Sequence, residues 1–213
     1  DKNWIVITIN RPEKANAITA EMFKSMTLAL KENNFSGVRF QAKGKHFSAG
    51  ADLKEMAALS PDKVNVYTEI IANFFHELDN TNCPIIVHCF GHIAGAGVGI
   101  CALADLVIAK PNSLFSCPEV KSGIAPAIIA PYVIARTGMT QAKLMFISGI
   151  AYNAEKAERI GLVDVISEHS EAYSESLINN SANATEIKKM IKKSKFSSAT
   201  LAKFILNSFK VKK

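Results

Sequence analysis

The chain has 213 residues, of which 48% are hydrophobic and 21% charged, with a formal net charge of +6. That apolar content is enough for a buried core and excludes global disorder, and no apolar run reaches the roughly 20 residues that cross a bilayer. The length fits one domain, or one domain with a tail.

The first residues, Asp1-Lys2-Asn3-Trp4, show no charged segment followed by an apolar one, so no secretory signal is expected. Residues 4–9 form a β-rich run stopped by Asn10-Arg11-Pro12 and read as a strand. Residues 16–31 carry helical spacing through Ile18, Met22, Met26 and Leu30, with Thr19 near the helix start. Residues 38–42 form a short strand that leads into the small-residue turn Ser48-Ala49-Gly50-Ala51-Asp52. Residues 64–79 form an amphipathic helix with Ile70, Ile71, Phe74, Phe75 and Leu78 facing inward. The nearly continuous apolar run 83–90 suits a strand covered on both faces. A second small-residue turn, Gly95-Ala96-Gly97, opens a helix over 98–103. Strands are expected over 106–109, 114–116 and 162–166, and helices over 128–136 and 141–147, with another running from Asn153 to Gly161. Beyond Glu168 the composition shifts to Ser, Asn and Lys, with helical stretches at 186–193 and 199–209. The alternation of strands and helices gives an α/β class, and the shared plan of 38–58 and 84–103 points to a superhelical arrangement.

The two small-residue turns carry the chemistry. Small residues let a ligand approach the backbone, and a helix start offers unpaired N–H groups that favour negative charge. Two such turns brought together clamp one oxygen from two sides, as an oxyanion hole does for a carbonyl becoming an enolate. The spacing Gly95-x-Gly97-x-Gly99 differs from a dinucleotide fingerprint. Cys83, Cys89, Cys101 and Cys117 lie in apolar segments without a Cys-x-x-Cys pair, so buried free thiols in a reducing compartment are expected, and no metal. Much of the basic excess sits near the end, at Lys188, Lys189, Lys192, Lys193, Lys195, Lys203, Lys210, Lys212 and Lys213. A solvated helical face is one reading and attraction of a polyanion the other; no aromatic interleaving supports nucleic acid.

Taken in order, several segments resemble the crotonase (enoyl-CoA hydratase/isomerase) superfamily: residues 10–17, Phe47-Ser48-Ala49-Gly50-Ala51-Asp52-Leu53, 91–109, Pro118-Glu119-Val120-Lys121 and 157–163. The stretch 117–133 is most similar to the bacterial methylglutaconyl-CoA hydratase branch. The resemblance implies an α/β fold, a crotonase-like spiral of stacked β-β-α units over 1–166, with a shortened helical region at 167–213 that mediates oligomerisation. It implies an enoyl-CoA hydratase that adds water to an α,β-unsaturated acyl-CoA, with no cofactor beyond the coenzyme A of the substrate. Self-association as a homotrimer or dimer of trimers is implied as well, with no membrane or nucleic-acid partner and a cytoplasmic or mitochondrial-matrix location.

Carried over residue by residue, the oxyanion amides fall on Ala51 and Ala96, where the family usually has Gly at the second position. Of the two glutamates that the family's hydratases commonly carry, one matches Glu119 and the other falls on Gly99. Glu119 is expected to deprotonate water and return a proton at Cα, its pKa raised by Phe115, Val120 and Ile124. Lys14 and Lys54 are candidates for the phosphates of coenzyme A, and Ala15, Ala49, Leu53, Gly95 and Gly97 for the ligand path. Asp52 reads as a helix-start carboxylate and Asp105 as a turn-orienting one. His46 and His92 read as turn residues, His76 and His88 as structural. The rival readings are a Δ3,Δ2-enoyl-CoA isomerase working with one glutamate and a non-catalytic acyl-CoA or RNA-binding relative.

Overall fold

The computed structural model describes residues 3–192 except 33, 170 and 180. The helix expected at 199–209, and the lysines from Lys193 onward, lie outside the described residues. Five parallel strands form the main sheet in the order β1 (Trp4–Ile9), β2 (Gly37–Ala42), β3 (Ile85–Cys89), β5 (Leu106–Ala109), β8 (Val165–Ile166). A second sheet runs β4 (His92–Ala94), β6 (Leu114–Ser116), β7 (Tyr152–Asn153), with β4 and β6 parallel. Ser48 joins it through a parallel bridge to Ile93. Each of three successive passes therefore runs along the main sheet, turns a corner into the second sheet, and leaves by a helix. That is a spiral of β-β-α turns, as expected. Helices of the passes are α2 (Leu53–Ala57) with α3 (Pro61–Asn80), then α4 (Ala96–Leu103), then α5 (Ala130–Thr137). α1 (Ala20–Lys31) precedes them; α6 (Met139–Ser148), α7 (Ala154–Arg159), α8 (Glu171–Asn179) and α9 (Ser181–Lys192) follow.

β3 is buried along nearly its whole length because strands flank it on both sides in a parallel sheet, which accounts for its unbroken apolar run. β2 pairs with β1 residue for residue over six positions, a full-length strand for this sheet despite its shortened look in sequence. α1 starts at Ala20, not Asn16: Asn16 is left-handed (φ 57) and Ile18 bridges Ala51. The Thr19 hydroxyl caps the helix by accepting from the Met22 amide at 3.3 Å. Phe23, Met26 and Leu30 turn inward from α1. Phe23 and Phe40 of β2 both meet Phe74 of α3, with ring centroids 5.3 and 6.5 Å apart, which fixes α3 against the sheet. β4 and β7 are strands too short to show in the sequence pattern, and β8 keeps only two of the five residues expected there.

α9 docks through its lysines. Lys188 Nζ donates to Asp105 Oδ2 at 2.6 Å and to the Cys83 carbonyl at 3.1 Å, and Lys192 Nζ donates to the carbonyls of Asp79 and Thr81. These two are therefore anchors on the core, not members of a solvated face. The Asp105 carboxylate also accepts from the Ile85 amide, so it ties the loop before β5 to the start of β3. All four cysteines are buried and free. Among the described residues no helix is long and apolar enough to cross a membrane.

Candidate active site

In the turn over residues 47–52 every amide but one has a partner. Ser48 N–H donates to the His92 carbonyl, Ala49 to Ala15, Gly50 to the Ser48 hydroxyl and Asp52 to Ile18. Among the described residues the Ala51 N–H has no protein acceptor. The second turn repeats the pattern. Ala94 N–H donates to the Ser48 carbonyl and Gly95 N–H to the Ser116 carbonyl. Ala96 is the first residue of α4, where helix geometry supplies no carbonyl, and its amide is likewise without a protein acceptor. The two turns are stitched together by the Ser48–Ile93 bridge, and a Cβ built on Gly50 would lie 3.5 Å from the Ala96 nitrogen. Neither alanine has positive φ, so alanine at 96 is unstrained there. The unusual backbone falls on Gly95 instead, with φ 48 and ψ −111.

Glu119 lies beside Gly95. It lies in the first turn of the short 3-10 segment Pro118–Ser122 that follows β6, and the Gly95-to-Ser116 bond holds the two strand ends together. Its carboxylate oxygens are 3.1 and 3.3 Å from where a Cβ on Gly95 would lie. Burial pushes its pKa above the ordinary carboxylate range, against a smaller pull from a backbone hydrogen bond.

Ala49, Ala51, Leu53, Gly95, Ala96 and Glu119 share one cavity of about 200 Å³. The rest of its wall comes from α2, α3 and the loop before α5, through Met56, Tyr67, Ile71, Phe75, Ile128 and Ile129. Glu119 is the sole charged residue in that wall among the described residues. The Tyr67 hydroxyl is engaged by the Asp52 carbonyl at 3.2 Å and the Thr68 hydroxyl by the Val64 carbonyl at 2.9 Å. A shallow groove holding Arg11, Lys14 and Lys54 adjoins the cavity and shares Ala49, Ala51 and Leu53 with it. Its Arg11 is paired with Asp52 at 2.6 Å.

Two of the expected ligand-path residues line neither space. Ala15 (φ 50) gives its carbonyl to Ala49 and so positions the loop. Gly97 is buried behind the turn, where a Cβ would lie 3.2 Å from Ser48 Cβ. Asp52 caps α2 by accepting from the Lys54 and Glu55 amides. His46 and His92 meet edge to face at 4.7 Å on a corner outside the cavity, with His92 N–H donating to His46 Nδ1. His76 lies beside Asn80, and His88 beside Ser174 of α8. Among the described residues no three metal-binding side chains cluster.

At Gly99 a Cβ would lie 2.5 Å from Ile129 Cγ2 and 2.7 Å from Phe75 Cε1. The space that a second glutamate side chain would enter is filled by apolar groups. The α3 wall was signalled in sequence only as core periodicity, which does not distinguish a residue facing a cavity from one facing its neighbours.

The sequence profile of the enoyl-CoA hydratase/isomerase family matches residues 1–210. The Mycobacterium leprae protein named "Probable enoyl-CoA hydratase echA8" is 30% identical over 217 residues, 95% of this chain and 82% of that protein. The trans-2-decenoyl-[acyl-carrier-protein] isomerase of Streptococcus mutans is 32% identical over 172 residues, 76% of this chain and 65% of that protein. Among solved structures, an enoyl-CoA hydratase/isomerase from Marinobacter aquaeolei superposes with a TM-score of 0.81 at 26% identity, covering 99% of this chain and 88% of that one.

Proposed function

The chain belongs to the enoyl-CoA hydratase/isomerase family, and from that membership we propose that it acts on an enoyl-CoA thioester held with its carbonyl oxygen between the Ala51 and Ala96 amides. The observation that carries this reading is the pair of adjoining N–H groups, without protein acceptors among the described residues, in one cavity with a half-buried carboxylate. Negative charge that develops on the thioester oxygen meets two fixed donors, so no reorganisation accompanies its stabilisation. Lys14 and Lys54 in the adjoining groove suit the phosphates of coenzyme A. Glu119 moves the proton, and burial poises it for both directions of transfer.

Double-bond migration asks least of this site. Glu119 takes the Cα proton of a 3-enoyl thioester, the electrons of that C–H bond delocalise into the enolate, and the same proton returns at Cγ as the 2-enoyl product forms. No second carboxylate is needed, and the filled space at Gly99 offers none. Hydration is the second reading, favoured by the name of the Mycobacterium leprae relative. There Glu119 takes a proton from water as oxygen adds to Cβ and returns one at Cα. Self-association as a homotrimer or dimer of trimers belongs to the same proposal; the exposed Leu144, Ile147 and Ile150 support it.

Ala96→Pro tests the central claim. Proline is tolerated at the first position of a helix, so the change deletes the donor while α4 persists. Turnover of 3-enoyl- and 2-enoyl-CoA should fall by about 10²–10³-fold with the circular dichroism spectrum retained. A folded variant with wild-type turnover would remove the Ala96 amide from the mechanism.

A further inference from the structure

We propose that the inner part of the cavity is a pocket for a short, uncharged acyl chain, closed at its far end by the Phe75 ring. The inference rests on the enoyl-thioester reading above and goes on to name the class of acyl group. With the thioester oxygen at Ala51 and Ala96 and coenzyme A leaving over Ala49 and Leu53, the acyl chain has one remaining direction. It enters the wall made by Met56, Tyr67, Ile71, Phe75, Ile128 and Ile129.

That wall offers a charged tail nothing. Its one charge among the described residues is the Glu119 carboxylate, which would repel an acidic chain end. The Tyr67 and Thr68 hydroxyls already donate to the Asp52 and Val64 carbonyls. A carboxylate on the acyl chain would meet no cation and no free side-chain donor among the described residues of that wall, a costly arrangement for a buried charge. This runs against the branched, carboxylated acyl group implied by the sequence resemblance of 117–133.

The far end does not yield easily. The Phe75 ring is fully buried, stacks on Tyr132 at 5.9 Å and 23°, and meets Phe74 at 5.1 Å and 71°. With Ile129 it covers the α4 backbone at Gly99 so closely that even a methyl there would collide. A longer chain must displace a packed aromatic group, which close-packed interiors resist.

The test is a substrate series on the purified wild-type chain: 3-enoyl- and 2-enoyl-CoA of four, six and ten carbons, plus 3-methylglutaconyl-CoA as the carboxylated probe. The expected order is four and six carbons first, with kcat/KM for ten carbons and for the carboxylated chain each lower by roughly 100-fold or more. Phe75→Leu and Phe75→Ala should move the optimum toward ten carbons without admitting the carboxylated chain. If Phe75→Ala does not fold, Phe75→Leu and the wild-type series decide. Wild-type turnover of the carboxylated or ten-carbon chain within tenfold of the four-carbon one overturns this inference and leaves the enoyl-thioester reading standing. Failure to turn over any member of the series overturns both.

Discussion

The carboxylate of Glu119 stands 3.1 Å from the point where a side chain on Gly95 would begin. Gly95 also holds φ 48 and ψ −111, a conformation closed to L side chains. One residue therefore meets two demands: it turns the chain into α4 and leaves the carboxylate its room. Gly95→Ala should cost about 1–3 kcal/mol of stability, from backbone strain, and displace Glu119. Urea unfolding and steady-state turnover read the two effects; a variant with wild-type midpoint and rate contradicts both.

Glu119→Gln should separate activity from stability. Loss of the base is expected to reduce turnover by about 10²–10⁴-fold. Because burial raises the folded-state pKa of Glu119, its favourable contribution to folding is present below the ordinary value of about 4.3 and is lost as pH rises through the raised value. At pH 7 that favourable contribution is reduced or gone. The glutamine variant should melt higher than wild type at pH 7, with the difference vanishing near pH 4. Scanning calorimetry at both values checks the sign.

The same shift predicts the pH profile of the wild-type enzyme. In its proposed role Glu119 would act as a base only when ionised, so kcat/KM should fall on an acid limb displaced above the normal carboxylate range. An acid limb at about 4.3 or below would place the base elsewhere.

Gly99 is a packing position. Gly99→Ala puts a methyl against Phe75 and Ile129, at 2.7 and 2.5 Å, and should destabilise the fold by about 1–3 kcal/mol. Gly99→Glu should not gain hydratase activity unless Phe75 is also reduced in size. Thermal melts and hydration of crotonyl-CoA by the single and double variants test this.

The Arg11–Asp52 pair anchors the loop that presents Ala51. The hydrogen bond from Arg11, with help from the Glu55 and Lys54 amides, holds the Asp52 carboxyl below its usual range against the opposing effect of burial. A depressed folded pKa gives stability that is complete above the unfolded value of about 3.9 and is lost as pH falls through the folded one. Asp52→Asn should therefore cost about 1–2 kcal/mol at pH 7 and progressively less in acid. Parallel wild-type and variant stability curves down to pH 2 would contradict this.

The spiral was legible in sequence because its strands are apolar runs ended by small-residue turns, and each turn carries its own signature. Ala51, Ala96 and Glu119 fall in those signatures, and the structure gathers them in one cavity. Ala15 and Gly97 belong to the same stretches but support the site from behind, since adjacency in sequence does not tell which side of a turn faces the ligand. Phe75 and Ile129 escaped notice as site residues for the reverse reason: a cavity wall and a core have the same apolar spacing. Lys188 and Lys192 resembled solvent-facing charges because their acceptors, main-chain carbonyls and Asp105, lie some 80 to 115 residues away in sequence.

The saturation of every neighbour around the Ala51 amide has a genetic corollary. The proposed donors belong to the main chain, so no ordinary side-chain replacement deletes them, and an alanine scan passes over them in silence. Codon changes to proline are the narrow exception. Homologous chains can thus exchange one small side chain for another at these two points while keeping the same main-chain groups, and kinship judged by matching letters will undercount those that share them.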